Sequence, residues 1–172
     1  MPDDRMLTTK RLVLRPLTVD DAAELHASPS DVATTRYWHT PPHTTLSDTQ
    51  SMLEHMLQVP ANCWWVICLQ DDHRVIGMVG HLGNTNVPGF GYLLHSAYWR
   101  QGLATEALQT TIAYAFCTLL PDSIELWIHG DNTPSIKLAE KVGFTCRGRL
   151  RQKFGGQPAL HDVLVYELRA HE

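Results

Sequence analysis

The stretch that decides the fold is residues 131–144, Asp-Asn-Thr-Pro-Ser-Ile-Lys-Leu-Ala-Glu-Lys-Val-Gly-Phe. Pro134 suits a first helical turn and Gly143 suits a helix C-terminus, so the stretch predicts a short helix that follows a strand. Residues 98–107, Tyr-Trp-Arg-Gln-Gly-Leu-Ala-Thr-Glu-Ala, form a second junction of the same kind. Such helix starts present free backbone N–H groups and a positive dipole end, which suit the phosphates of a nucleotide-like cofactor.

The composition is that of a globular protein. The 172 residues fit one domain, and 44% hydrophobic with 19% charged residues exclude disorder. A net charge of −4 argues against general nucleic-acid binding, because no basic excess exists to displace counterions. Among the ten histidines, His39 and His43 have helical ligand spacing, but Pro41 and Pro42 between them break a helix. We therefore predict no metal site.

The four cysteines predict a reduced protein. Cys63, Cys68, Cys117 and Cys146 lack close paired spacing and lie in apolar patterns, so we expect inert free thiols. No stretch of the sequence is typical of a secretory signal or a transmembrane helix. These features predict a cytoplasmic location and no membrane partner.

Hydrophobic periodicity predicts a mixed α/β sheet in a single domain over residues 1–172. Apolar alternation predicts strands over residues 11–15, 63–69, 74–82, 89–94, 123–129, 144–153 and 160–169. Helical patterns cover residues 18–27, 48–57, 104–116 and 134–142. The segment 28–48 is predicted as a loop, with turns at 84–86 and at Gly155 and Gly156. The predicted order is β-α-α-β-β-β-α-β-α-β-β.

Together the two junctions resemble the acyl-CoA sites of the GNAT N-acetyltransferase superfamily. The stretch Asn-x-x-Ser-x-x-x-x-Glu-Lys-x-Gly-Phe is typical of its RimJ/RimL branch, which acetylates N-terminal amines of ribosomal proteins. The family's phosphate loop is usually Gln/Arg-x-x-Gly-x-Gly/Ala, and here Gly102 and Ala104 match while Trp99 replaces the first residue. The resemblance covers nearly the whole chain. It implies a GNAT fold with a splayed central sheet and an acetyl-CoA-dependent N-acetyltransferase that uses no metal.

The resemblance also implies where acetyl-CoA binds. Backbone N–H groups would hold the pyrophosphate at Arg100, Gln101, Gly102, Leu103, Ala104 and Thr105, with the Thr105 hydroxyl and the Arg100 charge adding contacts. The pantetheine arm would pair with the strand edge at Leu93 and Leu94. Asn132 would bind the arm or simply form an Asx turn. Lys137 would neutralise a CoA phosphate or remain a solvated helix residue.

The catalytic groups are less complete than in many GNAT enzymes. The helix position that often carries a proton-donating Tyr is Ala139, and the branch offers Ser135 as the donor to the CoA thiolate. A Glu two positions before Gly91 is common in the branch, and this chain has Gly89 there. His81 in the adjacent strand is a candidate base, because an imidazole titrates near neutrality. The alternatives are a water chain and a purely structural His81; the pair His161 and Asp162 is interpreted as turn and strand-edge residues.

The acceptor is left open by the sequence. Tyr37 and Trp38 lie in the segment 34–45 and are candidates for substrate contact or for core packing in equal measure. The net negative charge suits a cationic amine, and an N-terminal peptide, an amino acid, a polyamine and an aminoglycoside all remain possible. The competing function is a non-catalytic acyl-CoA-binding module. Either function is compatible with a monomer or a homodimer.

Overall fold

A single sheet organises the chain, whose computed structural model describes residues 5–83, 87–153 and 159–170. The sheet order within these residues is β1-β2-β3-β4-β5-β6-β8-β7. The strands are β1 (Leu7–Thr8), β2 (Leu12–Pro16), β3 (Cys63–Leu69), β4 (Val75–Leu82), β5 (Gly89–Leu94), β6 (Ser123–His129), β7 (Thr145–Lys153) and β8 (Leu160–Arg169). The predicted strands are confirmed within one or two residues. The added strand β1 is two residues long and too short for alternation to reveal.

The helices confirm the periodic segments and correct one loop. They are α1 (Ala22–Leu25), α2 (Ala27–Ser30), α3 (Val32–Thr35), α4 (Leu46–Leu57), α5 (Leu103–Thr118) and α6 (Thr133–Val142). The prediction of a loop over 28–48 is wrong where α2 and α3 form, because single helical turns leave no periodic signal. The predicted turns at 84–86 and at Gly155 and Gly156 lie outside the described residues.

The sheet is interrupted between β5 and β6. The other strand pairs are antiparallel, whereas β5 and β6 run parallel and pair at Gly89 with Glu125 and at Phe90 with Leu126. Beyond Phe90 the two strands diverge, and this confirms the predicted splay. No further pair joins β5 to β6 in the described part of the chain, so the C-terminal half of β5 keeps one open edge.

Helices cover both faces of the sheet. One apolar cluster packs α5 and α6 against residues such as Trp65, Phe90 and Ile124. The other packs α1 and α4 against Trp64, Met78 and Leu93. Successive residues of β5 alternate between the two clusters. The gap beside β5 is therefore approached from two different layers of the fold. Among the described helices, none is both long and apolar enough to cross a bilayer.

Gly77 holds β4 close to β5, because a methyl group on it would lie 2.2 Å from the carbonyl oxygen of Leu93. We expect Gly77→Ala to lower the free energy of unfolding by about 1–3 kcal/mol, since backbone atoms must move to admit the methyl group. Gly148→Ala on β7 is the matched control, because a methyl group there would meet no described atom within 4 Å. Urea unfolding measures both variants. Equal midpoints for the two would contradict this account of strand spacing.

Candidate functional site

The N-terminus of α5 is open to an anion. Arg100 and Gly102 adopt positive φ angles of 60° and 78°, which turn the chain sharply into the helix. Among the described residues no side chain caps α5 at Gly102, whereas Thr45 caps α4 and Asn132 caps α6. The first N–H groups of α5 therefore keep donor capacity for a ligand. The role of phosphate loop stays a prediction, and Leu103 itself turns its side chain into the core.

Arg11, which lies just before β2, holds this loop in place through side-chain hydrogen bonds. Its Nη1 donates to the Gln101 carbonyl at 2.8 Å and its Nε donates to the Glu106 carboxylate at 2.8 Å. Burial opposes ionisation of Glu106, but hydrogen bonds from Thr9 and Arg11 outweigh it and lower the pKa of that carboxyl. The network fixes the loop backbone without occupying its N–H groups. Arg11 was not predicted from the sequence, because no local pattern links it to a residue 90 positions away.

Trp99 has a defined role in place of the usual loop residue. Its indole Nε1 donates to the Leu94 carbonyl at 2.7 Å, so the loop is tied to the end of β5. Although half-exposed, the ring is therefore anchored. One of the backbone groups predicted for the pantetheine arm is thus already hydrogen-bonded.

The open edge of β5 differs from the prediction by one residue, because it includes Tyr92 and not Leu93 beside Leu94. The His95 N–H donates to the Ile76 carbonyl, and in an antiparallel pair the direction of backbone groups alternates along the strand. Leu93 therefore turns its backbone groups toward β4, whereas Tyr92 and Leu94 turn theirs toward the gap. Leu93 instead packs its side chain in the α1–α4 cluster. The edge available to a pantetheine arm is Tyr92 together with the Leu94 N–H.

The α6 junction is built by its own side chains. The Asn132 side chain accepts a hydrogen bond from the Ser135 N–H at 3.3 Å, and this is the Asx-type cap. Ser135 is half-buried in the first turn, while Lys137 is exposed. Gly143 ends the helix at a φ of 106°, as its position in the sequence predicts. The side chain of Asn132 is thereby used in positioning Ser135.

Tyr92 of β5 reaches the start of α6. Burial raises the pKa of the Tyr92 phenol to about 12, and the Ser135 side chain acts on the phenol in the opposite direction. The phenol oxygen is buried but completes no hydrogen bond of ordinary geometry within the described residues. This neighbour of Ser135 was not predicted from the sequence. The available signal was alternation along β5, which puts Tyr92 on the α5–α6 face with Phe90 and Leu94.

His81 forms no hydrogen bond with Ser135, because neither of its ring nitrogens has a partner among the described residues. His81 is buried against Trp65 and Phe90, with ring centroids 6.3 Å and 5.5 Å away. Burial lowers the pKa of its imidazole. It also lines a cavity of about 650 Å³ with the C-terminal end of α5, at the end of the sheet where β5 begins. The role of base stays a prediction for His81.

A second cavity, of about 320 Å³, lies beside the α6 junction. It is lined by His129, Gly130, Asp131, Arg151, Leu160, His161 and Asp162. His161 and Asp162 thus belong to a cavity wall, beyond their predicted turn and edge role. The Tyr37 ring lies 5.1 Å from the His129 ring, so Tyr37 reaches this region. Trp38 instead packs against the α1–α4 cluster, as a core residue does.

The described residues hold no group of three or more His, Cys, Asp or Glu side chains placed to bind a metal. All four cysteines are free thiols. Cys68 is buried, and burial raises the pKa of its thiol. Cys117 and Cys146 are exposed, so the prediction that all four are packing residues is wrong for these two. An apolar neighbourhood in the sequence does not by itself say which face a given side chain occupies.

An open helix start beside a splayed sheet defines an acyl-transferase fold, and residues 11–145 match the acetyltransferase (GNAT) domain. The chain belongs to the GNAT family and is an N-acetyltransferase. It is 34% identical to the uncharacterized N-acetyltransferase p20 of Bacillus licheniformis, over 96% of this chain and 97% of that protein.

Two solved structures share the fold at low identity. Spermidine N-acetyltransferase from Vibrio cholerae, in complex with CoA and spermine, has a TM-score of 0.80 at 20% identity, covering 94% of this chain and 96% of its own. Ribosomal-protein-S5-alanine acetyltransferase from Vibrio fischeri has a TM-score of 0.79 at 19% identity, covering 96% and 97%. The first of these two structures contains CoA.

Arg11→Ala should loosen the loop over residues 100–105 without removing any N–H donor. We expect faster amide hydrogen exchange in this loop and a loss of about 1 kcal/mol of loop stabilisation, a low value because the Arg11 side chain is 44% exposed. Arg169→Ala is the control, since Arg169 forms its ion pair with Glu167 within β8. Exchange measured by mass spectrometry that is unchanged in Arg11→Ala would contradict the support role.

Proposed function

We propose that the protein transfers the acetyl group of acetyl-CoA directly to a primary amine. The observation that carries this proposal is the uncapped N-terminus of α5, set at the same end of the sheet as the gap between β5 and β6. A diphosphate at the helix start and an extended amide arm along the gap match the two chemical parts of acetyl-CoA. The loop over 100–105, with Gly102 allowing close approach, is the proposed pyrophosphate site.

For the arm, we propose hydrogen bonds to the backbone of Tyr92 and to the Leu94 N–H, both of which face the gap. Arg100 is exposed at the start of the loop, so its charge is placed to approach a phosphate. Lys137 is also exposed and is proposed only as an additional phosphate contact. Asn132 is proposed to act through the turn it caps.

The amine attacks the thioester carbonyl, and the C–S bond breaks as the thiolate leaves. Ser135 is the proposed proton donor to that thiolate, at a helix N-terminus whose dipole favours the negative charge. The burial of Cys68 and the lack of a hydrogen bond between His81 and Ser135 among the described residues argue for transfer without an acyl-enzyme. For the surplus proton of the amine, we propose release to water through the cavity beside His129 and Asp131.

That cavity is also the proposed acceptor site. The carboxylates of Asp131 and Asp162 suit an ammonium group, while Arg149 and Arg151 lie 3.3 Å and 3.7 Å from the Asp162 carboxylate and set its position. Its size of about 320 Å³ suits one amino-terminal residue or a small amine. The RimJ/RimL-like assignment, with a protein N-terminus as acceptor, is supported by the α6 motif. A cytoplasmic location and the single domain over 1–172 remain proposals.

The acceptor is expected to react as a neutral amine. In calorimetry the protein should bind acetyl-CoA, and an assay of CoA thiol release with N-terminal peptides, amino acids, polyamines and aminoglycosides should identify an acceptor. The rate should rise with pH toward the amine's pKa, ~10.4 for a lysine-like amine, because only the deprotonated form attacks. His81→Leu should keep this pH profile. An acetylated Cys or Ser, formed with acetyl-CoA alone and consumed by acceptor, would contradict direct transfer.

Ser135→Ala should slow acetyl transfer by about 10²-fold, the lower range for loss of a general acid, while acetyl-CoA affinity changes little. Thr133→Ala is the matched control, because Thr133 is exposed in the same turn of α6. Turnover is measured by CoA thiol release at saturating acetyl-CoA. Wild-type turnover in Ser135→Ala would show that the thiolate is protonated by another group.

A further inference from the structure

The ring of Tyr92 packs against the core between α6 and the sheet, but its phenol oxygen contributes nothing to that packing. Its phenol oxygen is shielded from solvent and completes no hydrogen bond among the described residues. A buried hydroxyl without a partner costs its desolvation, and a phenylalanine of the same shape would avoid that cost. Besides burial, the influence on the phenol comes from the Ser135 side chain.

The residues around Ser135 explain why the Tyr92 phenol, which comes from the sheet, can lie beside it. Ala139, one turn further along α6, is fully buried and contributes no polar group. Ala139 and Tyr92 belong to the same packed cluster between α6 and the sheet. Because the Ala139 side chain is small and apolar, the polar group beside Ser135 comes from Tyr92, whose backbone faces the gap.

We propose that Tyr92 is a positioning residue that acts through Ser135, an inference that rests on the proposed function. In the reacting complex the phenol O–H donates to the Ser135 Oγ, and the Ser135 O–H points at the departing sulfur. The amine nitrogen forms a bond to the acetyl carbon, and the C–S bond breaks with its electron pair on sulfur. The Ser135 proton passes to sulfur and the Tyr92 proton passes to Ser135 Oγ. The proton lost by the amine reaches solvent, which reprotonates Tyr92 after turnover.

Acid strength favours this relay over Ser135 alone. An aliphatic alcohol that gives up its proton becomes a strongly basic alkoxide, so it is a poor final donor for a thiolate. A phenol is a far stronger acid, and even with its pKa raised to about 12 Tyr92 lies closer to a thiol than an alcohol does. With Tyr92 behind it, Ser135 transfers a proton without remaining an alkoxide.

Tyr92→Phe tests the inference in two independent ways. We expect a higher urea midpoint, because the unpartnered hydroxyl is removed, together with a kcat lower by about 10-fold or more and an unchanged Kd for acetyl-CoA. Tyr166→Phe is the matched control of opposite sign. Tyr166 is 4% exposed and its hydroxyl donates to Glu140 at 3.2 Å, so its loss should lower the midpoint and leave kcat unchanged.

The variant Tyr92→Phe/Ser135→Ala distinguishes a relay from two separate contributions. If Tyr92 acts through Ser135, the double variant should be no slower than Ser135→Ala. A rate that falls by the product of the two single effects would overturn the relay, as would wild-type kcat in Tyr92→Phe. If the wild-type protein binds acetyl-CoA but acetylates no amine of the panel, the proposed function itself fails and the inference falls with it. The urea midpoint is measured separately from activity.

Discussion

The incomplete pairing of β5 with β6 is the constraint on which the rest of the site depends. Two parallel residue pairs, at Gly89 and Phe90, join the halves of the sheet, and beyond them β5 has no neighbouring strand on this side among the described residues. Unpaired backbone groups inside a sheet are costly, so the gap is a place that an extended, amide-bearing ligand can complete. The loop before α5 and the cap of α6 both lie where this gap opens.

The two helix starts beside the gap, those of α5 and α6, differ in how their first backbone N–H groups are satisfied. Asn132 satisfies its own helix and thereby positions Ser135, whereas Gly102 leaves the α5 donors unsatisfied. One terminus is thus capped by a side chain, whereas the other keeps free backbone donors. Tyr92 links them, because its backbone lies along the gap and its phenol lies by Ser135.

Sequence patterns predicted the structural features that depend on residues close together in the chain. The glycine and proline positions around α6, the start of α5 at Gly102 and the strand limits are encoded within a few residues of themselves. Arg11 and Tyr92 could not be found in this way, because Gln101 lies 90 positions from Arg11 and Ser135 lies 43 positions from Tyr92. The candidate base His81 was inferred from strand adjacency and stays a prediction, because alternation alone does not say which end and face of a strand meets the gap. For Leu93 the same ambiguity led to a wrong assignment, because its backbone groups face β4 and not the gap.

The hydrogen bond from Arg11 to the Gln101 carbonyl also has a consequence for the folding of the site. It spans 90 positions, and the adjoining contact with Glu106 spans 95. Contacts of such separation carry a high loop-closure cost, because a long stretch of chain must be ordered before they form. A fragment that begins after β2 lacks Arg11, so its loop over residues 100–105 loses both of these contacts. The shape of this loop therefore depends on the first residues of the sheet as well as on α5.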